Sequence, residues 1–124
     1  MRLPIHYALF HPNRVYSERV PRLDLTTLSQ LTFEEPDYDR FPCLRIAKKV
    51  AQEDNTSACV MNAANEVVVA AFLKDRVAFR EISQLIEQVL EKHNPISKPS
   101  LDDILEADRW ARQEADNLLK ARAA

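Results

Sequence analysis

The reactive side chains of this chain are three histidines, two cysteines and a cluster of carboxylates, and their spacing argues against most of the chemistry they could do. His6, His11 and His93 stand at no i, i+3 or i+4 step from one another or from a cysteine, the spacing that would aim two ligands at one metal. Cys43 and Cys59 lie among apolar neighbours and read as two reduced core thiols rather than a disulfide, a metal pair or a nucleophile with a distant histidine. No serine has the setting of a nucleophile elbow, whose sharp turn is built on glycine. Glu34, Glu35, Asp37 and Asp39 resemble a hard-cation cluster superficially. They read as a solvated linker whose carboxylates lie near the start of a helix, where the dipole favours them. Asp108 reads as a capping or pairing residue and Trp110 as a half-buried ring, and either could touch a partner. The expectation is no catalytic and no metal-ligating residue in this chain.

The chain contains no glycine. A loop that wraps a pyrophosphate needs positive φ and close approach of backbone N–H groups, which glycine supplies at least cost, so neither a dinucleotide-binding loop nor a P-loop is encoded here. Within MNAANEVVVAAFL, Met61 to Leu73, two asparagines interrupt a small, apolar run. Asn62 is expected to cap a helix whose register restarts, with Glu66 adding charge to the first turn, and Asn65 to hydrogen-bond the backbone of a neighbouring segment. Both read as structural clamps.

A chain of 124 residues with 17 basic and 19 acidic side chains and a net charge of -2 fits one domain with a real core. It shows no basic block, which argues against nucleic acid and anionic membrane as partners, and no apolar run approaches the roughly 20 residues of a spanning helix. No signal-peptide order is visible either, so a cytoplasmic protein is expected.

The elements that would position these residues divide near Pro36. From Met1 to Pro36 four prolines (Pro4, Pro12, Pro21, Pro36) leave room only for a turn or two between Ile5 and Phe10, and Thr27 to Phe33 reads as a short extended or edge strand. From Asp37 the period is helical. A first helix carries Phe41, Leu44, Ala47, Val50 and Ala51 inward, with Pro42 in its first turn. A second, apolar nearly all round and therefore central, bears Val67, Val68, Ala71 and Phe72. A third buries Ile82, Leu85, Ile86, Val89 and Leu90, with Glu81 in its first turn and His93 to Pro95 ending it. A fourth opens on Ser100 and Asp103 as a capping box and turns Leu101, Ile104, Leu105, Ala115, Leu118 and Leu119 inward, with Arg112, Asp116 and Lys120 outside. The fold class is mainly α: a four-helix bundle-like domain over 37–124, preceded by an extended, proline-containing arm over 1–36 with at most one short strand.

Read together, MRLPIHYALFHPNR, LDLTTLSQLTFEEPDYDRFPCLRIA and above all MNAANEVVVAAFL, with SLDDILEADRWAR near the end, resemble the C-terminal portion of 1-deoxy-D-xylulose 5-phosphate reductoisomerase over the whole chain. The resemblance implies an NADPH- and divalent-metal-dependent (Mg or Mn) parent that makes 2-C-methyl-D-erythritol 4-phosphate in non-mevalonate isoprenoid biosynthesis. It implies that Met1 to about Phe10 is the tail of the catalytic domain, His11 to Pro36 the linker arm, and Asp37 to Ala124 the C-terminal helical bundle. In the family a Pro-Asp pair precedes the position matched by Met1, which implies a start inside a longer protein. The family's metal, phosphate and NADPH ligands lie upstream, so none carries over to a position here. Met1 alone matches a position at the edge of the family's pocket, where its thioether would give apolar contact. The resemblance thus implies a chain without cofactor or activity of its own, whose partners are the missing N-terminal and catalytic domains. Its stranded docking face would favour homo-oligomers through exchange of the arm. The rival reading is a free-standing helical protein-interaction module.

Overall fold

The computed structural model describes residues 1–20, 23–28 and 30–123, with five helices and no named strand among them. They form two compact units, Met1–Glu35 and Pro36–Ala124. The protein is mainly helical.

In the first unit, α1 spans Arg2–Phe10, nine residues where only a turn or two is expected from the sequence. The difference lies in the position of Pro4. It falls within the first turn, where a missing N–H removes no intrahelical bond, so the helix passes through it. It ends at His11, which is extended (φ -51°, ψ 135°), the conformation favoured before proline, and the His11–Pro12 bond is cis. No residue of α1 is buried. The strand expected over Thr27 to Phe33 is absent from the described residues of that stretch, and Ser29 lies outside them. The reason is local: Asp24 Oδ1 accepts the Thr26 N–H and hydroxyl at 2.9 and 2.6 Å, and Asp24 O accepts the Thr27 N–H at 3.2 Å. This side-chain-nucleated turn takes up Thr27, the first residue of the expected strand.

The second unit holds α2 (Pro42–Val50), α3 (Ser57–Phe72), α4 (Phe79–Lys92) and α5 (Leu101–Ala123). Asp37 Oδ1 accepts the Asp39 and Arg40 N–H groups in the turn before α2, and Pro42 occupies the first helical turn. The inward face of α2 is Cys43, Ile46, Ala47 and Val50, an i, i+3, i+4, i+7 set, whereas Phe41, Leu44 and Ala51 are exposed. The face expected from the sequence is thus rotated: counting from Phe41 selects a stripe that leaves out Ile46. Helix α3 is the central element as expected, packing against α2, α4 and α5 through Val60, Ala63, Ala64, Val68 and Ala71. It runs unbroken through Asn62. The side chain that serves its N-terminus is Asn55, whose Oδ1 accepts the Ser57 N–H at 2.7 Å.

Without glycine, the left-handed turns fall to other residues. Asp75 (φ 55°) ends α3, where the Arg76 N–H reaches Ala71 O and the Asp75 N–H reaches Phe72 O, the paired bonds of a Schellman closure. Lys98 (φ 49°) sits in the α4–α5 connection. At the start of α4, Glu81 Oε2 accepts the Ala78 N–H at 2.7 Å; alanine has no oxygen to return a bond, so half a capping box forms. Ile82, Leu85, Ile86 and Val89 are buried as the spacing predicts, and Leu90 is half-buried.

Helix α5 opens on the expected capping box, Ser100 N and Oγ donating to Asp103 Oδ2 and Ser100 Oγ accepting the Asp103 N–H. Its core stripe differs from expectation. Ala107, Ala111, Ala115 and Leu119 are buried at four-residue steps, whereas Leu101, Ile104 and Leu105 are exposed. Small residues on α5 face small residues of α3, so the two helices approach closely, and larger side chains at 101, 104 and 105 lie beyond that contact. No helix of the described residues is long and apolar enough to cross a membrane.

Candidate functional site

The fold disperses the reactive side chains. Met1 is the N-cap of α1 and almost fully exposed. His6 packs on Phe10 (4.9 Å between centroids) and His11 on Tyr7 (5.5 Å), both within the first unit. His93 lies at the end of α4, its ring 5.3 Å from that of Trp110 on α5 and hydrogen-bonded to Thr56. Burial pushes the His93 pKa down. Among the described residues no three His, Cys, Asp or Glu side chains converge on a point that could hold a metal ion.

The two cysteines are free and sit on different helices. Burial, followed by the nearby Glu87 carboxylate, pushes the Cys43 thiol up; burial, followed by Asp108, does the same at Cys59. Both therefore favour the thiol over the thiolate, the opposite of an activated nucleophile. Cys59 Sγ donates to Ile104 O at 3.5 Å across α3 and α5.

Three charged side chains assemble into a network at the exposed seam between α3 and α5. Arg112 donates through Nε and Nη2 to both oxygens of Asp108 (2.8 and 3.1 Å) and through Nη2 to Glu66 Oε2 at 2.8 Å. Asn62 Nδ2 in turn donates to Glu66 Oε1 at 3.2 Å. Asp108 and Glu66 raise the Arg112 pKa beyond its already high range, and Arg112 with Asn62 holds the Glu66 carboxyl below its ordinary value. The forked guanidinium thus fixes the helix of MNAANE against the helix of LEADRWAR. One cation held by two carboxylates on two helices fixes their relative geometry.

Asp108 is a pairing residue, as its position suggests, whereas Arg112, expected on the outer face with Asp116 and Lys120, lies at the seam. The i, i+4 spacing of Asp108 and Arg112 is the signal for it in the sequence. Asn62 is exposed and pairs within its own helix instead of capping. Asn65 is half-buried and makes no side-chain hydrogen bond to a neighbouring backbone among the described residues, so the clamp expected there does not form. Asp37 ties down the turn before α2. The residue that sequence reasoning misses is Thr56. It is 1% exposed, its N–H donates to Ile96 O at 3.2 Å, and its Oγ1 accepts the Ile96 N–H at 3.1 Å.

Residues 1–114 match the family model described as the DXP reductoisomerase C-terminal domain. Among curated proteins, the chain is 46% identical over 115 residues to the 1-deoxy-D-xylulose 5-phosphate reductoisomerase of Halothermothrix orenii, covering 93% of this chain and 30% of that protein. It is 49% identical over 119 residues to that of Citrifermentans bemidjiense, covering 96% and 31%. Among solved structures, the reductoisomerase from Zymomonas mobilis in complex with NADPH superposes with a TM-score of 0.83 at 39% identity, over 95% of this chain and 31% of that one. A DOX-P reductoisomerase in complex with NADPH, fosmidomycin and magnesium superposes with a TM-score of 0.78 at 31% identity, over 95% and 31%. The chain spans about a third of the length of the relatives it matches. With sequence and helical fold both matching along nearly its whole length, the chain belongs to the family of DXP reductoisomerase C-terminal domains.

Proposed function

We propose that this chain works as the C-terminal portion of an NADPH-dependent 1-deoxy-D-xylulose 5-phosphate reductoisomerase, with residues 1–36 as the tail of the catalytic domain and linker arm and 37–124 as a helical domain that buttresses it. The observation that carries the reading is the surface of the first unit. Helix α1 leaves Leu3, Ile5, Leu9 and Phe10 exposed, and Leu23, Leu25, Leu31 and Phe33 are exposed after it. A unit as short as Met1–Glu35 cannot bury these side chains within itself, and further protein of the enzyme would cover them.

In this reading NADPH and a divalent cation belong to the parent enzyme, where the cofactor supplies hydride and the metal polarises the substrate. This chain contributes scaffold, with Met1 at most an apolar contact at the pocket edge. Alone it is inactive and binds no NADPH, and its uncovered arm drives association with a second copy. The parent acts in the cytoplasm.

The test is reconstitution. The purified chain is assayed for NADPH oxidation with 1-deoxy-D-xylulose 5-phosphate and Mg2+, alone and after mixing with the remaining N-terminal portion of a close relative. No turnover alone and turnover in the mixture are expected. Turnover or saturable NADPH binding by the chain alone would overturn the proposal. So would failure of the folded portions to associate, which favours the free-standing interaction module.

A further inference from the structure

The second unit carries a cleft of about 430 Å3 between the start of α2 and the first turns of α4, a size suited to a small organic ligand. Its walls are Phe41, Pro42 and Cys43 on one side and Phe79 and Ile82 on the other. Phe41 is 51% exposed and Phe79 69% exposed, so both rings are open to whatever enters. Phe79 is braced edge-on against Phe72, with 5.9 Å between centroids.

Two guanidiniums, Arg40 and Arg80, stand at this cleft. Elsewhere in the unit Arg45, Arg109, Arg112 and Arg122 each hold a carboxylate, whereas Arg76 holds none among the described residues. Arg40 and Arg80 hold none among the described residues; Arg40 lies 5.7 Å over the Phe41 ring instead. Asp39 is the one carboxylate of the lining, and the neighbouring Asp37 is occupied by the Asp39 and Arg40 amides. Neither Asp39 nor Asp37 engages these guanidiniums, so both keep free N–H donors beside an aromatic and aliphatic wall. We propose that this cleft binds a small monocarboxylate with an apolar body, the body between Phe41 and Phe79 and the carboxylate on Arg40 and Arg80. This site is separate from the α3–α5 seam and does not rest on the reductoisomerase reading.

The experiment titrates 3-phenylpropanoate into the isotope-labelled chain and follows its amide resonances, with 3-phenylpropanamide as the neutral control. Saturable shifts centred on Phe41, Cys43, Phe79 and Arg80 are expected, at least tenfold weaker for the amide and for the Arg40→Gln/Arg80→Gln variant. The two arginines make no ion pair among the described residues, so the variant keeps its fold, which an unchanged spectrum away from the cleft verifies. Slower alkylation of Cys43 in the presence of the acid, in a Cys59→Ala background, is the second expected readout. Absence of saturable shifts, equal binding of acid and amide, or shifts that follow protein concentration instead of acid would each overturn the proposal. The last outcome would assign the cleft to contact between copies.

Discussion

Thr56 Oγ1 stands 2.7 Å from His93 Nε2 and 3.1 Å from the Ile96 nitrogen, so one buried hydroxyl joins the start of α3 to the end of α4 and to the chain leading into α5. The hydroxyl accepts the Ile96 N–H, and its remaining lone pair and its proton let it pair with Nε2 in either ring tautomer. Replacing Thr56 by Val keeps the shape and removes both part-buried bonds, at a net cost of about 0.5–1.5 kcal/mol each. A fall in melting temperature of roughly 4–8 °C per kcal/mol is expected by circular dichroism, with Thr56→Ser recovering much of it.

The same ring makes stability depend on pH. The His93 pKa is depressed below its ordinary 6.5 by burial, so the folded state favours the neutral ring. The unfolded chain takes up its proton first as pH falls, and stability present above about 6.5 is lost on the way down through the folded-state value. Melting temperatures measured between pH 7.5 and 5 are expected to fall for the native sequence and to flatten in His93→Gln. Glu53, Glu66 and Asp103 are shifted down by their hydrogen bonds, so their contribution is present above their ordinary 4.5 and 3.8 and is lost only below that range.

The alanine seam between α3 and α5 leaves no room for larger side chains. Ala111 is fully buried, and Ala111→Leu is expected to cost about 1–3 kcal/mol by overpacking, read from urea unfolding. Leu101, beside the capping box at the start of α5, is 70% exposed, and Leu101→Gln should leave the midpoint almost unmoved.

Lys98 holds a left-handed backbone (φ 49°) that costs an L-residue roughly 1–2 kcal/mol relative to glycine's freedom there, offset in part by the larger unfolded-state entropy of glycine. Lys98→Gly is expected to raise stability by about 0.5 kcal/mol, the small surplus left by these two effects. The measurement is a denaturant midpoint with unchanged slope.

The exposed apolar side chains of α1 bear on association. Serine at Leu3, Leu9 and Phe10 together should shift the chain from oligomer toward monomer in sedimentation velocity at the highest concentrations. A native chain that is monomeric throughout that range would count against self-association through the arm.

Much of the fold is legible in the chain because helices advertise themselves through local periodicity. Ile82 to Val89 repeats at three and four residues and is buried as that repeat requires, and Ser100 with Asp103 marks the start of α5. Local pattern misleads where several stripes are compatible with one sequence. On α2 both the Phe41 and the Cys43 register are helical, and only packing against α3 and α4 selects the one with Ile46. In the first half of α5, Leu101 and Leu105 outrank the alanines in hydrophobicity, yet Ala107 and Ala111 are the buried residues, because α3 offers a close contact there that small side chains fill.

Residue type and short-range spacing were enough to establish a helical protein that carries the motifs of the reductoisomerase C-terminal domain. They were not enough to show that Arg112 meets Glu66 across 46 positions, that Thr56 meets His93 across 37, or that Arg40 and Arg80 share a cleft. Those pairings depend on how whole helices rotate and approach, and the free energy that sets their rotation comes from long-range packing, which no local window of the chain contains.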